Sequence, residues 1–351
     1  MKIFFCLKEI LQMLNYYNLI MGTDDDCFLA TFNKLWKQEI KSQNLPYTNA
    51  IQIETGNRLR PLLMAWGYYA NCCYENNPYI AGYALSIELL HKASILLDDL
   101  IDSDVARHER ETFHIQYSDS EALLYALYIL NRSITLMNEK DSNNAQLYTS
   151  MLLKIVDNMA RGGIKEISST NTIFSLADAK EIIELETVSL IENSFVLGYK
   201  LSASTSSDIP DAITSIGYSC GYCFQVLNDI EPFSAPSINQ KYKGNINYDF
   251  EKQRKNIVIS FLYGCCTQHE RKQLINASDF EYVCQLVKKY NVLSTLLTEL
   301  ESEILQIMQK TIYFKNSNPS FYNDFKKFLA TLFNICYKKC ALSLNNELFN
   351  N

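Results

Sequence analysis

The stretch "SILLDDLIDSD", residues 94–104, sets aspartates into a run of apolar residues. Asp98 and Asp102 are i and i+4, so on a helix they share a face, and Asp99 lies about 100° round from Asp98. Like charges at that spacing repel. A solvated acidic face explains them poorly, because Ile95, Leu96, Leu97, Leu100 and Ile101 are interleaved with them. A hard divalent cation, most naturally Mg²⁺, explains both charge and spacing if these oxygens hold it together with oxygens of a phosphate substrate. A second polar face occurs in "CFQVLNDIEPF", where Gln225, Asn228 and Asp229 are i, i+3 and i+4. Taken alone, that face reads equally well as a buried hydrogen-bonded network.

The elements that must position these residues are helices. Apolar positions recur with the helical period in "AGYALSIELLHKASILLDDLI", "EALLYALYILNRSITLM", "AKEIIELETVSLIENSFVLGYKL", "AITSIGYSCGYCFQVLNDI", "FEKQRKNIVISFLYG" and further segments to "FYNDFKKFLATLFNICYKK". Alternating runs of comparable length are absent, so the expected class is all-α. Several segments are apolar most of the way round, as in helices enclosed by others. In "TDDDC", Thr23 and Asp24 to Asp26 sit where a helix start wants caps and negative charge. A loop is expected from Pro232 into "FSAPSINQKYKGNINYD".

The chain has 351 residues, 48% of them hydrophobic, with 11 Gly and 7 Pro spread along it and no linker or repeat. One domain over 1–351 is expected, with residues 1–22 as a divergent N-terminal extension. The net charge is −7 and the basic residues are dispersed, which argues against nucleic acid as a partner. Lys8 and Glu9 interrupt the apolar start before it reaches signal-peptide length, and no window has the consecutive apolar residues of a membrane span. A soluble, cytoplasmic protein is the expectation. The 11 cysteines include adjacent pairs, Cys72/Cys73 and Cys265/Cys266, that suit thiols rather than a disulfide framework. "CGYC" (Cys220, Cys223) has redox spacing, but its helical surroundings favour plain packing.

The motifs, in order, resemble those of the trans-isoprenyl diphosphate synthases, the polyprenyl synthetases that include farnesyl and geranylgeranyl diphosphate synthases. "GNRLRP" (56–61) is similar to the family's GKRLRP, and "ELLHKASILLDDLIDSDVARHERET" to its first aspartate-rich region. "FQVLNDIEP" stands where the second aspartate-rich motif follows Phe-Gln, and "DFEKQRKN" where a basic segment follows. The resemblance implies a single bundle of long antiparallel helices around a deep cavity, with the two acidic motifs facing each other and three Mg²⁺ ions bridging them to an allylic diphosphate. It further implies a homodimer. Carried over by position, Asp98, Asp99, Asp102 and Asp229 are the catalytic carboxylates and metal ligands, with Asn228 as a neutral oxygen donor. Arg107, Thr187, Gln225, Arg254 and Lys255 fall on the allylic diphosphate side, and Arg60 and His91 on the isopentenyl diphosphate side. Ala93 and Ser94, five and four residues before the first Asp, fall where the family sets product length, and their small size implies C20 or longer.

The departures are concentrated. Asn57 replaces the Lys of GKRLRP, His108 replaces an Arg after the first motif, and Glu186 replaces the Lys of a Lys-Thr pair. Asn228 and Pro232 replace the outer aspartates of the second motif, and Glu231 stands one position early. The leading expectation is a Mg²⁺-dependent prenyltransferase of isoprenoid biosynthesis that condenses an allylic diphosphate with isopentenyl diphosphate. Two alternatives keep the same residues. One is a terpene-synthase-like or ComQ-like enzyme that ionises an allylic diphosphate without isopentenyl diphosphate; the other is a weakly active subunit of a heteromeric synthase.

Overall fold

A computed structural model describes residues 27–54, 58–71, 77, 79–107, 110–143, 145–168, 175–202, 209–234, 256–275, 279–340 and 342. Among them the regular elements are helices apart from one hairpin of two-residue strands, as the period of the apolar pattern predicts. The proposed cap at Thr23 to Asp26 lies outside the described residues. Chain contacts group into two compact units. The first takes Met1–Leu153, Asn193–Thr214 and Tyr313–Ile335, and the second takes Lys154–Glu192, Ser215–Ile312 and Cys336–Asn351.

In the first unit, α1 (Cys27–Gln43), α2 (Leu59–Tyr69) and α5 (Asp119–Lys140) pack on α3 (Ile80–Asp102). Apolar on most sides, α3 is long and apolar enough to cross a membrane by composition, and 78% of that window is buried inside the protein, the setting of a core helix. It stops at Ser103, whose left-handed φ of 55° turns the chain so that the Asp104 N–H donates back to the Asp99 carbonyl at 2.9 Å. Next come β1 (Ala106–Arg107) and β2 (Arg110–Glu111), an antiparallel pair with Arg107 opposite Arg110, and the single turn α4 (Phe113–Gln116). The start of α5 is capped by Ser118, which accepts from Glu121 N–H at 3.2 Å.

The core of this unit is aromatic. Trp66 of α2 lies against Phe321, Phe325 and Phe328 of α14 (Pro319–Lys339), and Phe195 of α8 (Ser189–Ser202) stacks on Phe325 at 5.4 Å. Helices α2 and α8 cross glycine to glycine. A Cβ at Gly198 would meet the Met64 carbonyl oxygen at 1.9 Å, and one at Gly67 the Phe195 carbonyl oxygen at 2.1 Å. No side chain fits between these backbones.

The second unit holds most of α6 (Ala145–Ser168), α7 (Leu176–Ile183), a π-helical turn (Glu184–Val188), much of α9 (Asp211–Ser234), α10 (Ile257–Cys265), α11 (Gln268–Ile275), α12 (Phe280–Lys289) and α13 (Val292–Thr311). Gly217 and Gly221 let α9 approach Glu192 and Val188, where an added Cβ would lie 2.9 Å from either Cα. Cys220 and Cys223 are buried free thiols on α9, and burial pushes Cys220 up to about 12 and Cys223 well above the ordinary thiol value. These are packing residues. The chain does not leave the helix at Pro232: α9 continues through it to Ser234. Proline removes only the donor that would reach the Asn228 carbonyl, and within a last turn so few bonds remain that the helix persists. Residues 235–249 of the expected loop lie outside the described ones.

Candidate functional site

In the first unit the turn after α3 brings Arg107 back over the last turn of that helix. Its Nη2 donates to Asp98 Oδ2 at 2.9 Å, and Nε to Asp99 Oδ1 at 2.7 Å. Asp104 Oδ2 is 3.8 Å from Nη2, a third carboxylate that the quoted stretch contained and that motif spacing does not single out. Thr112 holds the hairpin in place through Oγ1, which donates to the Asp104 carbonyl, and through its N–H, which donates to Val105 O at 3.2 Å. Asp99 is buried and Asp98 is 52% exposed, so the two aspartates differ in role: one is an anchor and the other faces water. Burial opposes the charge on Arg107, but Asp99 and Asp98 outweigh it and push the guanidinium up. Asp102, partly buried, lies one turn beyond Asp98.

Nearly three turns before Asp98 on α3, Glu88 gathers basic side chains. His91 Nδ1 and Lys92 Nζ each lie 3.4 Å from its carboxylate, and the field of Arg60 reaches it from α2. Burial raises the Glu88 carboxyl, yet Lys92 and His91 draw it down to about 2. Burial and then Arg60 lower His91 to about 4, leaving a neutral imidazole at pH 7. Burial also lowers Arg60 to about 10, against the pull of Glu88, and its Nε is buried with no hydrogen-bond partner. Arg60 and His91, predicted together, are brought together; Glu88 was missed, although a lone Glu followed by His and Lys at i+3 and i+4 in an apolar helix is the signal that points to it. Ala93 is buried on the same helix, and Ser94 Oγ donates to the His91 carbonyl at 2.8 Å.

In the second unit, Thr187 Oγ1 donates to Gln225 Oε1 at 2.9 Å and Gln225 Nε2 to Asp229 Oδ1 at 2.8 Å. Three predicted residues thus form one chain of bonds. Asp229 Oδ2 accepts from the Ile257 N–H at 2.8 Å, and Asn256 caps α10 while its Nδ2 donates to the Asp229 carbonyl at 3.0 Å. Asn256 was missed, though an Asn directly before "IVISF" is a helix-start signal. Glu186 lies in the π-helical turn against Gly162, where a Cβ would meet its Cγ at 2.5 Å. Such turns recur at functional positions in helices. Arg254 and Lys255, with Asn57 and His108, lie outside the described residues.

Among the described residues no three His, Cys, Asp or Glu side chains converge as a complete metal cage. Mg²⁺ sites in general use one or two carboxylates together with water and phosphate oxygens. The half-exposed Asp98, with Asp102 one turn on, supplies hard anionic oxygens of that kind.

A family model described as "Polyprenyl synthetase" matches residues 44–293. The chain is 22% identical over 257 residues to a geranylgeranyl diphosphate synthase of Saccharolobus solfataricus, covering 68% of this chain and 74% of that protein. Its fold matches a polyprenyl synthase of Caulobacter crescentus, solved with calcium and isoprenyl diphosphate, at a TM-score of 0.69 and 18% identity over 93% of this chain and 94% of that one. It also matches a geranyltransferase of Helicobacter pylori, solved with magnesium and isoprenyl diphosphate, at a TM-score of 0.63 and 20% identity over 89% of this chain and 99% of that one.

Proposed function

The chain belongs to the polyprenyl synthetase family of prenyl-transferring enzymes, and from that premise we propose that it ionises an allylic diphosphate and joins the allyl group to isopentenyl diphosphate. The observation that carries the second half of this reading is the cluster at Glu88. Arg60 and His91 are buried beside the same carboxylate, and Arg60 Nε has no hydrogen-bond partner there. A diphosphate is the kind of anion that such a group of donors recognises.

In this mechanism Asp98 and Asp102 hold Mg²⁺, and Arg107 binds phosphate oxygens of the allylic substrate. The metal, when bound, supplies positive charge that stabilises the departing diphosphate. Asp99 stays buried and orients Arg107, so the guanidinium does not have to be ordered during the reaction. Arg60 and His91 hold isopentenyl diphosphate with its double bond available to the allylic cation. That double bond attacks, a C–C bond forms, and a proton leaves the neighbouring carbon. By motif position Thr187, Gln225, Arg254 and Lys255 are assigned to the allylic side. Asn228 and Asp229 form the second polar face. Small residues at Ala93 and Ser94 favour C20 or longer products, and homodimers in the cytoplasm complete the reading.

The test is an assay of the purified chain with Mg²⁺ and C5 to C20 allylic diphosphates, with and without isopentenyl diphosphate, read by mass spectrometry. Elongated diphosphates that require both substrates, and that Asp98→Asn reduces by about tenfold to a hundredfold, are expected. Diphosphate release from the allylic substrate alone, with hydrocarbon or alcohol as product, would replace condensation by the cyclase-like reading. No turnover under any of these conditions would leave the subunit reading.

A further inference from the structure

Asp229 sits near the end of α9 with 7% of its surface exposed. Each of its two carboxylate oxygens accepts a hydrogen bond. Oδ2 accepts from the Ile257 N–H at 2.8 Å and Oδ1 from Gln225 Nε2 at 2.8 Å. Thr187, by donating to Gln225 Oε1, fixes which way that amide points. Asn256 answers from the other side: Nδ2 donates to the Asp229 carbonyl at 3.0 Å, and Oδ1 takes the Val258 N–H at 2.9 Å. Ile257 and Val258 are first-turn residues whose N–H groups the helix cannot satisfy itself, and side chains supply both acceptors.

The electrostatics run the same way. The start of α10 carries partial positive charge, which attracts a carboxylate and repels a cation. The two hydrogen bonds fix the carboxylate towards the start of α10, and a cation at these oxygens would sit against that field. We propose that Asp229 is a positioning residue that ties the start of α10 to α9, and is not a ligand of Mg²⁺. This rests on the reading of Asp98 and Asp102 given above. Asn228, partly exposed one residue earlier, keeps a neutral oxygen for any contact the second motif makes.

The test uses the full chain and two readouts. The first is the Mg²⁺ concentration that half-saturates the thermal shift produced by Mg²⁺ with inorganic pyrophosphate. The second is amide hydrogen exchange of the peptide that starts at Ile257. Asn in place of Asp keeps an oxygen for the Ile257 N–H, so Asp229→Asn is expected to hold the Mg²⁺ midpoint within about twofold, whereas Asp98→Asn raises it by about tenfold or more. Asp229→Ala is expected to speed exchange at the start of α10 by about tenfold, with Asn256→Ala acting in the same direction and serving in its place if Asp229→Ala does not fold. A Mg²⁺ midpoint shifted as far by Asp229→Asn as by Asp98→Asn overturns the proposal, as does unchanged exchange in both alanine variants. If neither Asn variant moves the midpoint while exchange rises, the reading of the first motif fails and the anchoring role of Asp229 stands.

Discussion

His91 is a titrating group whose behaviour can be read without any ligand. Its imidazole is lowered from 6.5 to about 4 by burial and by Arg60. Between those values the unfolded chain binds a proton that the folded chain refuses, so stability is fully present above pH 6.5 and falls as the pH drops towards 4. A difference of this size is worth on the order of 3 kcal/mol. Chemical denaturation of His91→Gln should therefore show a flatter pH dependence across that window than the parent chain, and parallel curves would refute the assignment. At this scale the sequence was informative about local groups. The spacing of Asp98, Asp99 and Asp102 could be read directly, as could the polar face of Gln225 and Asp229. Glu88 and Arg60 could not be paired, because one is on α3 and the other on α2, and only packing makes them neighbours. Asp99 and Asp98 are likewise adjacent in sequence, and only burial separates the anchor from the exposed carboxylate.

At the scale of elements, the crossing of α2 and α8 depends on absent side chains. Gly198→Ala would place a methyl 1.9 Å from the Met64 carbonyl oxygen, so backbones must move rather than side chains. A loss of about 2 to 3 kcal/mol, read as a lowered urea midpoint with unchanged slope, is expected. Gly163, where an added Cβ would meet nothing closer than Glu186 Oε1 at 3.9 Å, is the control, and its change to Ala should be neutral or slightly stabilising. Ser118→Ala, which removes the acceptor for Glu121 N–H at the start of α5, should cost about 1 kcal/mol in the same measurement. Helices with a clear apolar period were legible. α11 was not, since "QHERKQLI" has no apolar stripe; its start is instead marked by the reciprocal bonds of Thr267 and Glu270, a capping pattern visible as "TQHE". Pro232 misled for a related reason: a local rule about one N–H was weighed above the packing of a whole helix.

For the whole molecule, the all-α class followed from periodicity alone, whereas the grouping of contacts into two compact units has no counterpart in composition. Residues 193–214 and 313–335 join a unit otherwise made from the first part of the chain, and such long-range assembly leaves no mark in a local window. Sedimentation equilibrium should report a mass twice the 40.4 kDa of the chain, and a single-chain mass at micromolar concentration would count against the homodimer. The net charge of −7 gives no general attraction for anionic substrates, so recognition has to come from local clusters.

Arg107 makes one such cluster conditional. Because the guanidinium already spans Asp98 and Asp99, a cation arriving alone must displace a positive group, and a diphosphate arriving alone meets a charge already neutralised. Arriving together, each takes the partner the other releases. Under the proposed function the pair would therefore act as a coincidence detector, in which each component raises the affinity for the other by the same factor.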